Sequence, residues 1–135
     1  MDPSNINWLA VLVSTLLFYG IGAVWYSPVL FGKIWMKEIN MAPDAGKKVN
    51  MARLMTFTFI LSFIMVTNLA FFLADPSVGA QEGALYGFLT GFGWVAMAST
   101  LNAMYEMRGW RYMLINAGYM VVGFTLSGVI LGAWK

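Results

Sequence analysis

Gly79-Ala80-Gln81-Glu82-Gly83-Ala84-Leu85-Tyr86-Gly87-Phe88-Leu89-Thr90-Gly91 carries a glycine at every fourth position, and after Glu82 no charge appears before Glu106. In water such a run makes a poor helix, since each glycine costs about 1 kcal/mol relative to alanine. In a bilayer the helix forms regardless, because no solvent is there to satisfy free backbone groups. Glycine then becomes useful, for it lets a second backbone come close, and small residues four apart are a recurrent seam between membrane helices. The stretch reads as the packing axis of a membrane bundle. Gly79 falls near the surface, so Gly83, Gly87 and Gly91 form the intramembrane part of the row. At about 100° per residue, Ala98 and Asn102 extend that face and Trp94 interrupts it.

Composition agrees. Of 135 residues, 60% are hydrophobic and 10% are charged, against roughly 25% charged in soluble domains. There is no Cys and no His, which removes disulfides, thiol nucleophiles, histidine acid–base chemistry and soft-ligand metal sites. No cofactor, no metal site and no nucleic-acid partner is expected. Charge-free intervals run from Asp2 to Lys33, Arg53 to Asp75, Glu82 to Glu106 and Arg111 to Lys135. Each can hold the ~20 residues that span a hydrocarbon core. The expected fold is one all-α integral membrane domain over 1–135, with transmembrane helices at about 8–26, 54–73, 84–105 and 112–134.

Basic residues set the orientation. Lys33, Lys37, Lys47, Lys48 and Arg53 fall between helices one and two, and Arg108 and Arg111 between three and four, leaving Lys135 alone on the other side. Those two loops are expected in the cytoplasm, with the N-terminus and C-terminus outside.

Helix one ends in Trp25-Tyr26-Ser27-Pro28, an interfacial aromatic pair before a proline that cannot continue the helix. Ser27 and Pro28 also suit the N-cap and first turn of a new helix. That helix is expected from Val29 to about Asn40, with Phe31, Ile34, Trp35 and Ile39 as an apolar stripe. It lies in the inner interface or packs on the ends of the bundle, and Ala42-Pro43-Asp44 breaks it. In helix four, Gly118, Thr125, Gly128 and Gly132 share one face, while Asn116, Gly123 and Ser127 share a roughly opposite one flanked by Tyr119 and Met120. Small residues on two sides imply protein on two sides, one of which could be a second subunit.

The segment Gly22-Ala23-Val24-Trp25-Tyr26-Ser27-Pro28-Val29-Leu30-Phe31-Gly32-Lys33-Ile34-Trp35-Met36 resembles the hallmark of a small four-helix membrane family, domain of unknown function 1761. The opening Asn5 to Val13 and the ending, Leu114 to Tyr119 and Leu131 to Trp134, resemble it as well. The resemblance implies a mainly bacterial protein, expected in the inner membrane, and no activity. It also implies an acidic residue at the position of Asn116 and a histidine at that of Met120 in relatives, which this chain lacks.

For function, the first reading is a homo-oligomeric channel or carrier of a small solute or ion. The buried amides Asn68, Asn102 and Asn116 could line a path, with Tyr119 as a further candidate polar residue within the membrane; the competing view is that the amides only bridge helices, each bond being worth about 1 kcal/mol. The absence of charge within the spans weighs against transport. The alternative is a non-catalytic scaffold, or a binding protein for lipid or a partner helix, supported by the aromatic belt and the basic first loop. An enzyme is not expected, since general acid–base chemistry needs a titratable group in a pocket.

Overall fold

Each charge-free interval becomes one long helix. The computed structural model describes residues 2–41 and 49–135. The chain is an all-α membrane protein with four helices long and apolar enough to cross a bilayer: α1 Trp8–Trp25, α3 Met51–Phe72, α4 Ala80–Tyr105 and α5 Trp110–Ala133. A short helix, α2 Gly32–Glu38, follows the first span. The anticipated break at Ala42-Pro43-Asp44 and the basic pair Lys47-Lys48 lie outside the described residues.

Three spans begin earlier than their charges suggest, because a first turn has free N–H groups and tolerates polar company. Arg53, Glu82 and Arg111 all sit in first turns. The Asn7 side chain accepts from the Leu9 and Ala10 N–H groups, both at 3.1 Å. Asn50 accepts from the Arg53 N–H at 3.1 Å. The Glu82 carboxylate accepts from the Gly79 N–H at 3.1 Å, so the residue expected to keep helix three short instead caps it.

The glycine row lies against α5 of the same chain, and the two helices run antiparallel. A Cβ added to Gly83 would fall on the carbonyl oxygen of Gly128, and one added to Gly128 would fall on that of Gly83. Gly132 meets the Gly79 carbonyl and Gly87 that of Phe124 in the same way. Gly91 is slightly looser, 2.9 Å from the Met120 carbonyl oxygen. Backbones this close exchange Cα–H···O contacts and many small dispersion gains.

The continuation of that face differs from expectation. Residues Leu89–Ala96 of α4 wind as π-helix, whose i→i+5 bonds delay the return to the same side. The buried face passes from Gly91 to Ala96 and Ala103, while Trp94, Ala98 and Asn102 are exposed. The assumption of uniform α winding placed them wrongly.

The second small face of α5 is filled by α1. The Phe18 ring covers Gly123, where an added Cβ would lie 2.6 Å from Cζ, and the Trp25 indole covers Gly118 at 2.9 Å. Gly118 therefore does not share the partner of Gly128 and Gly132. With α4 on one side and α1 on the other, the two faces need no second subunit to explain them.

Helix α2 begins at Gly32, later than the expected Val29. Ser27 does not cap it: its hydroxyl donates back to the Val24 carbonyl at 2.6 Å. The chain turns through residues 26–31, with the Gly32 N–H on the Ser27 carbonyl at 2.9 Å. A side chain on Gly32 would strike the Tyr26 carbonyl oxygen, so only glycine fits this turn.

These contacts separate glycines that look alike in sequence. Gly83→Ala should lower the melting temperature in mild detergent, by about 1–3 kcal/mol of overpacking. Gly93→Ala, where nothing lies within 4 Å of the new Cβ, should leave it unchanged or raise it. Equal effects in a thermal melt would show that the Gly83–Gly128 approach does not hold the helices together.

Candidate functional site: an aromatic-walled groove between α1 and α3

Three hydrogen bonds fasten the end of α1 to α5. The Trp25 Nε1–H donates to the Ile115 carbonyl at 2.8 Å. The Tyr26 hydroxyl donates to Asn116 Oδ1 at 2.6 Å. The Tyr119 hydroxyl donates to the Phe18 carbonyl at 3.2 Å. Ser27 closes the last turn of α1 and Pro28 lies exposed beyond it. The Trp-Tyr-Ser-Pro segment thus works residue by residue: two cross-links, a C-terminal cap and a stop.

The rings continue as a column. Phe18 meets Phe124 edge-on at 5.3 Å and Tyr119 at 5.3 Å; Tyr119 meets Tyr26 at 5.6 Å; Tyr26 meets Trp35 of α2 at 5.4 Å. Edge-to-face pairs of this kind add about 0.5–1.5 kcal/mol each beyond burial. Gly22 makes room for it, since a Cβ there would lie 2.7 Å from the Tyr119 oxygen.

Beside this wall α3 stands off, leaving a cavity of about 470 Å³. Tyr19, Gly22, Ala23 and Tyr26 line it from α1, and Trp35 and Tyr119 close it. Leu54, Met55, Thr58 and Ser62 form the α3 side. Among the described residues, none in the lining is charged. The small hydroxyls are already satisfied, Thr58 on the Leu54 carbonyl at 2.9 Å and Ser62 on the Thr58 carbonyl at 2.8 Å. The Tyr19 hydroxyl points at the Met55 sulfur. Such a groove can hold an apolar chain or ring.

Of the asparagines expected to gather, one is at the site. Asn116 and Tyr119 join the wall. Asn68 is exposed and donates to the Ile64 carbonyl of its own helix at 2.9 Å. Asn102 is exposed on α4, rephased by the π segment. The three amides therefore do not line one path. The sequence reading missed Tyr19, Gly22, Ala23 and the α3 lining. The spacing of Tyr19, Gly22 and Tyr26 was a visible signal, since it puts all three on one helical face.

At the opposite end, the Lys135 ammonium donates to the Leu73 carbonyl at the end of α3, and Asn7 Nδ2 donates to the Trp134 carbonyl at 3.3 Å. Partial burial lowers the Lys135 pKa, with nearby Asp75 opposing. The Asp75 carboxyl is itself held low by bonds from the Ser77 N–H and hydroxyl, both at 2.8 Å.

The family described as "Protein of unknown function (DUF1761)" matches residues 9–132. No curated protein and no solved structure matches the chain.

The Tyr26–Asn116 bond is measurable. Tyr26→Phe and Asn116→Ala should each destabilise the protein in SDS unfolding, and the double variant should lose less than their sum. The expected coupling is about 1 kcal/mol, the scale of a hydrogen bond between membrane helices. Strict additivity would mean that the bond contributes nothing.

Proposed function

The chain belongs to the family described as "Protein of unknown function (DUF1761)", and we propose for it a role as a membrane-embedded binding protein that holds an uncharged, largely apolar ligand in the groove between α1 and α3. The observation that carries this reading is the cavity of about 470 Å³ whose lining, among the described residues, holds no charge and is mostly apolar. Ligand pockets commonly measure roughly 300–1,000 Å³ and are mostly apolar with a few polar groups. Here the polar groups are the Tyr19, Tyr26 and Tyr119 hydroxyls. Binding ranks ahead of a channel or small-solute carrier. Transport routes for charged species usually carry intramembrane ionisable groups, and beyond the groove Ser14, Thr15 and Phe18 of α1 are fully buried. The reading needs neither a catalytic step nor an oligomer.

For orientation, we place the end bearing Lys33, Lys37, Arg53, Arg108 and Arg111 in the cytoplasm and both termini outside. Cysteines introduced at Ser4 and Lys33 should label from opposite faces of intact cells. Labelling of the Lys33 position from outside would overturn the orientation.

Groove occupancy can be tested with a photoactivatable fatty alcohol. Wild-type protein should be labelled on α1 and α3, and Ala23→Trp should lose most of that labelling. Val24→Trp, on the neighbouring exposed position outside the lining, should keep it. Equal labelling of both variants would refute the groove as a binding site.

A further inference from the structure

We propose that Tyr19 is the specificity-determining residue of the groove, and that the ligand is an apolar molecule whose carbonyl oxygen accepts the Tyr19 hydroxyl hydrogen. The inference rests on the binding role above and adds the ligand's polar group and the residue that reads it.

Hydrogen bonding singles out Tyr19. The described lining contains the hydroxyls of Tyr19, Tyr26, Thr58, Ser62 and Tyr119. Four of these donate to oxygen. Tyr26 reaches Asn116 Oδ1 at 2.6 Å and Tyr119 reaches the Phe18 carbonyl at 3.2 Å. Thr58 and Ser62 each turn back on a carbonyl of their own helix, at 2.9 Å and 2.8 Å. The Tyr19 hydroxyl is instead directed at sulfur, that of Met55 on the α3 side. A thioether is a weak acceptor. A poorly paired donor in a dry site is worse tolerated than an open lone pair on oxygen. Tyr19 is therefore the hydroxyl that gains most by exchanging its partner, whereas each of the others would first have to give up a bond to oxygen. The exchange is also mechanically easy. The Tyr19 ring is steadied edge-on against Phe59 at 6.0 Å, while Met55 is unbranched and flexible and can withdraw.

Depth decides what kind of oxygen this is. Helix α1 ends at Trp25, and at 1.5 Å rise per residue Tyr19 lies about 9 Å further into the bilayer. At that level no water competes for the hydroxyl. A lipid's headgroup, and the ester groups beside it, stay at the surface, so the oxygen that meets Tyr19 travels inward on an apolar body. A carboxylate would arrive there charged, and among the described residues the lining holds no cation to pair with it; burying such a charge unpaired is costly. An alcohol would bring a donor of its own, which needs an acceptor in turn. A ketone, aldehyde or quinone-like carbonyl adds an acceptor and nothing else to satisfy. Ala23 and Leu54, exposed at the edges of the groove, leave it open sideways, so a carbonyl compound dissolved in the bilayer can enter without crossing water.

Displacement of the photoactivatable fatty alcohol tests this on the intact protein in detergent. A long-chain methyl ketone and the alkane of equal length serve as competitors. On wild type the ketone should displace the label at about fivefold lower concentration in the micelle, the worth of one hydrogen bond. Tyr19→Phe, which keeps the ring against Phe59, should bring the ketone to the level of the alkane without weakening the alkane. Met55→Leu, which removes the competing sulfur, should widen the gap between the two. Equal displacement by both competitors on wild type, or a gap that survives Tyr19→Phe, overturns the carbonyl assignment while leaving the groove as a binding site. A gap that closes with Met55→Leu gives the contact to the sulfur and overturns the role of Tyr19. If Tyr19→Phe does not fold, Met55→Leu decides, and only a wider gap supports the proposal. A label that neither competitor displaces, and that Ala23→Trp and Val24→Trp retain alike, would bring down the binding role itself.

Discussion

No side chain separates the backbones of Gly83 and Gly128. Everything else in the bundle depends on that approach. Lipid tails are as apolar as leucine, so helices in a membrane gain little by hiding apolar surface from them. What remains is close packing, and glycine pairs allow the closest. Through them α4 is clamped to α5, and α5 becomes the strut on which α1 also leans. The two helices reach α5 by different means. Helix α4 brings backbone to backbone, whereas α1 brings rings into spaces that glycines leave open, Phe18 at Gly123 and Trp25 at Gly118.

The second contact explains why a groove exists. Along the α1–α5 seam, Trp25, Gly22 and Phe18 face Gly118, Tyr119 and Gly123 in antiparallel register. One turn further along both helices come Ser14 and Ser127, both fully buried. Small hydroxyls let the seam stay narrow there. At the other end, large rings tied by the bonds of Trp25, Tyr26 and Tyr119 hold a fixed wall. Helix α3 packs on α1 near the Ser14 end, through buried Val66, Leu69 and Ala70. Towards Leu54 it meets the protruding ring of Tyr19, against Phe59 at 6.0 Å. The groove is the space that this prop keeps open.

Much of this was legible in the sequence. Charge-free intervals located four spans because a bilayer has no tolerance for unpaired charge, and that rule does not depend on tertiary contacts. The glycine row announced a seam for the same reason. What the sequence left open was which helix filled which face. Helical phase separates Gly123 from Gly128 and Gly132, but Gly118, which it groups with the latter two, receives the Trp25 ring rather than backbone. The asparagines mislead because polarity within a span does not by itself require burial. Asn68 satisfies itself on the Ile64 carbonyl and needs no partner helix. Trp25 looks like a belt residue in sequence, though its Nε1–H reaches the Ile115 carbonyl on α5, a contact that no spacing encodes.

The π segment shows how local winding serves the packing. Positions four apart drift around an α-helix of 3.6 residues per turn, by about 40° at each step. The row Gly79, Gly83, Gly87, Gly91 therefore spirals, and a partner can follow it only while the two axes cross at an angle. Beyond Gly91 the spiral would carry the contact face away from α5. Winding Leu89–Ala96 as π-helix lets five residues, rather than about four, return the chain to the same side. Ala96 and Ala103 then take the buried face. The glycines of this segment fit that account. Gly91 still carries the α5 contact, while Gly93, with nothing within 4 Å of its side-chain position, is free of it and leaves the backbone loose enough to accept the wider turn.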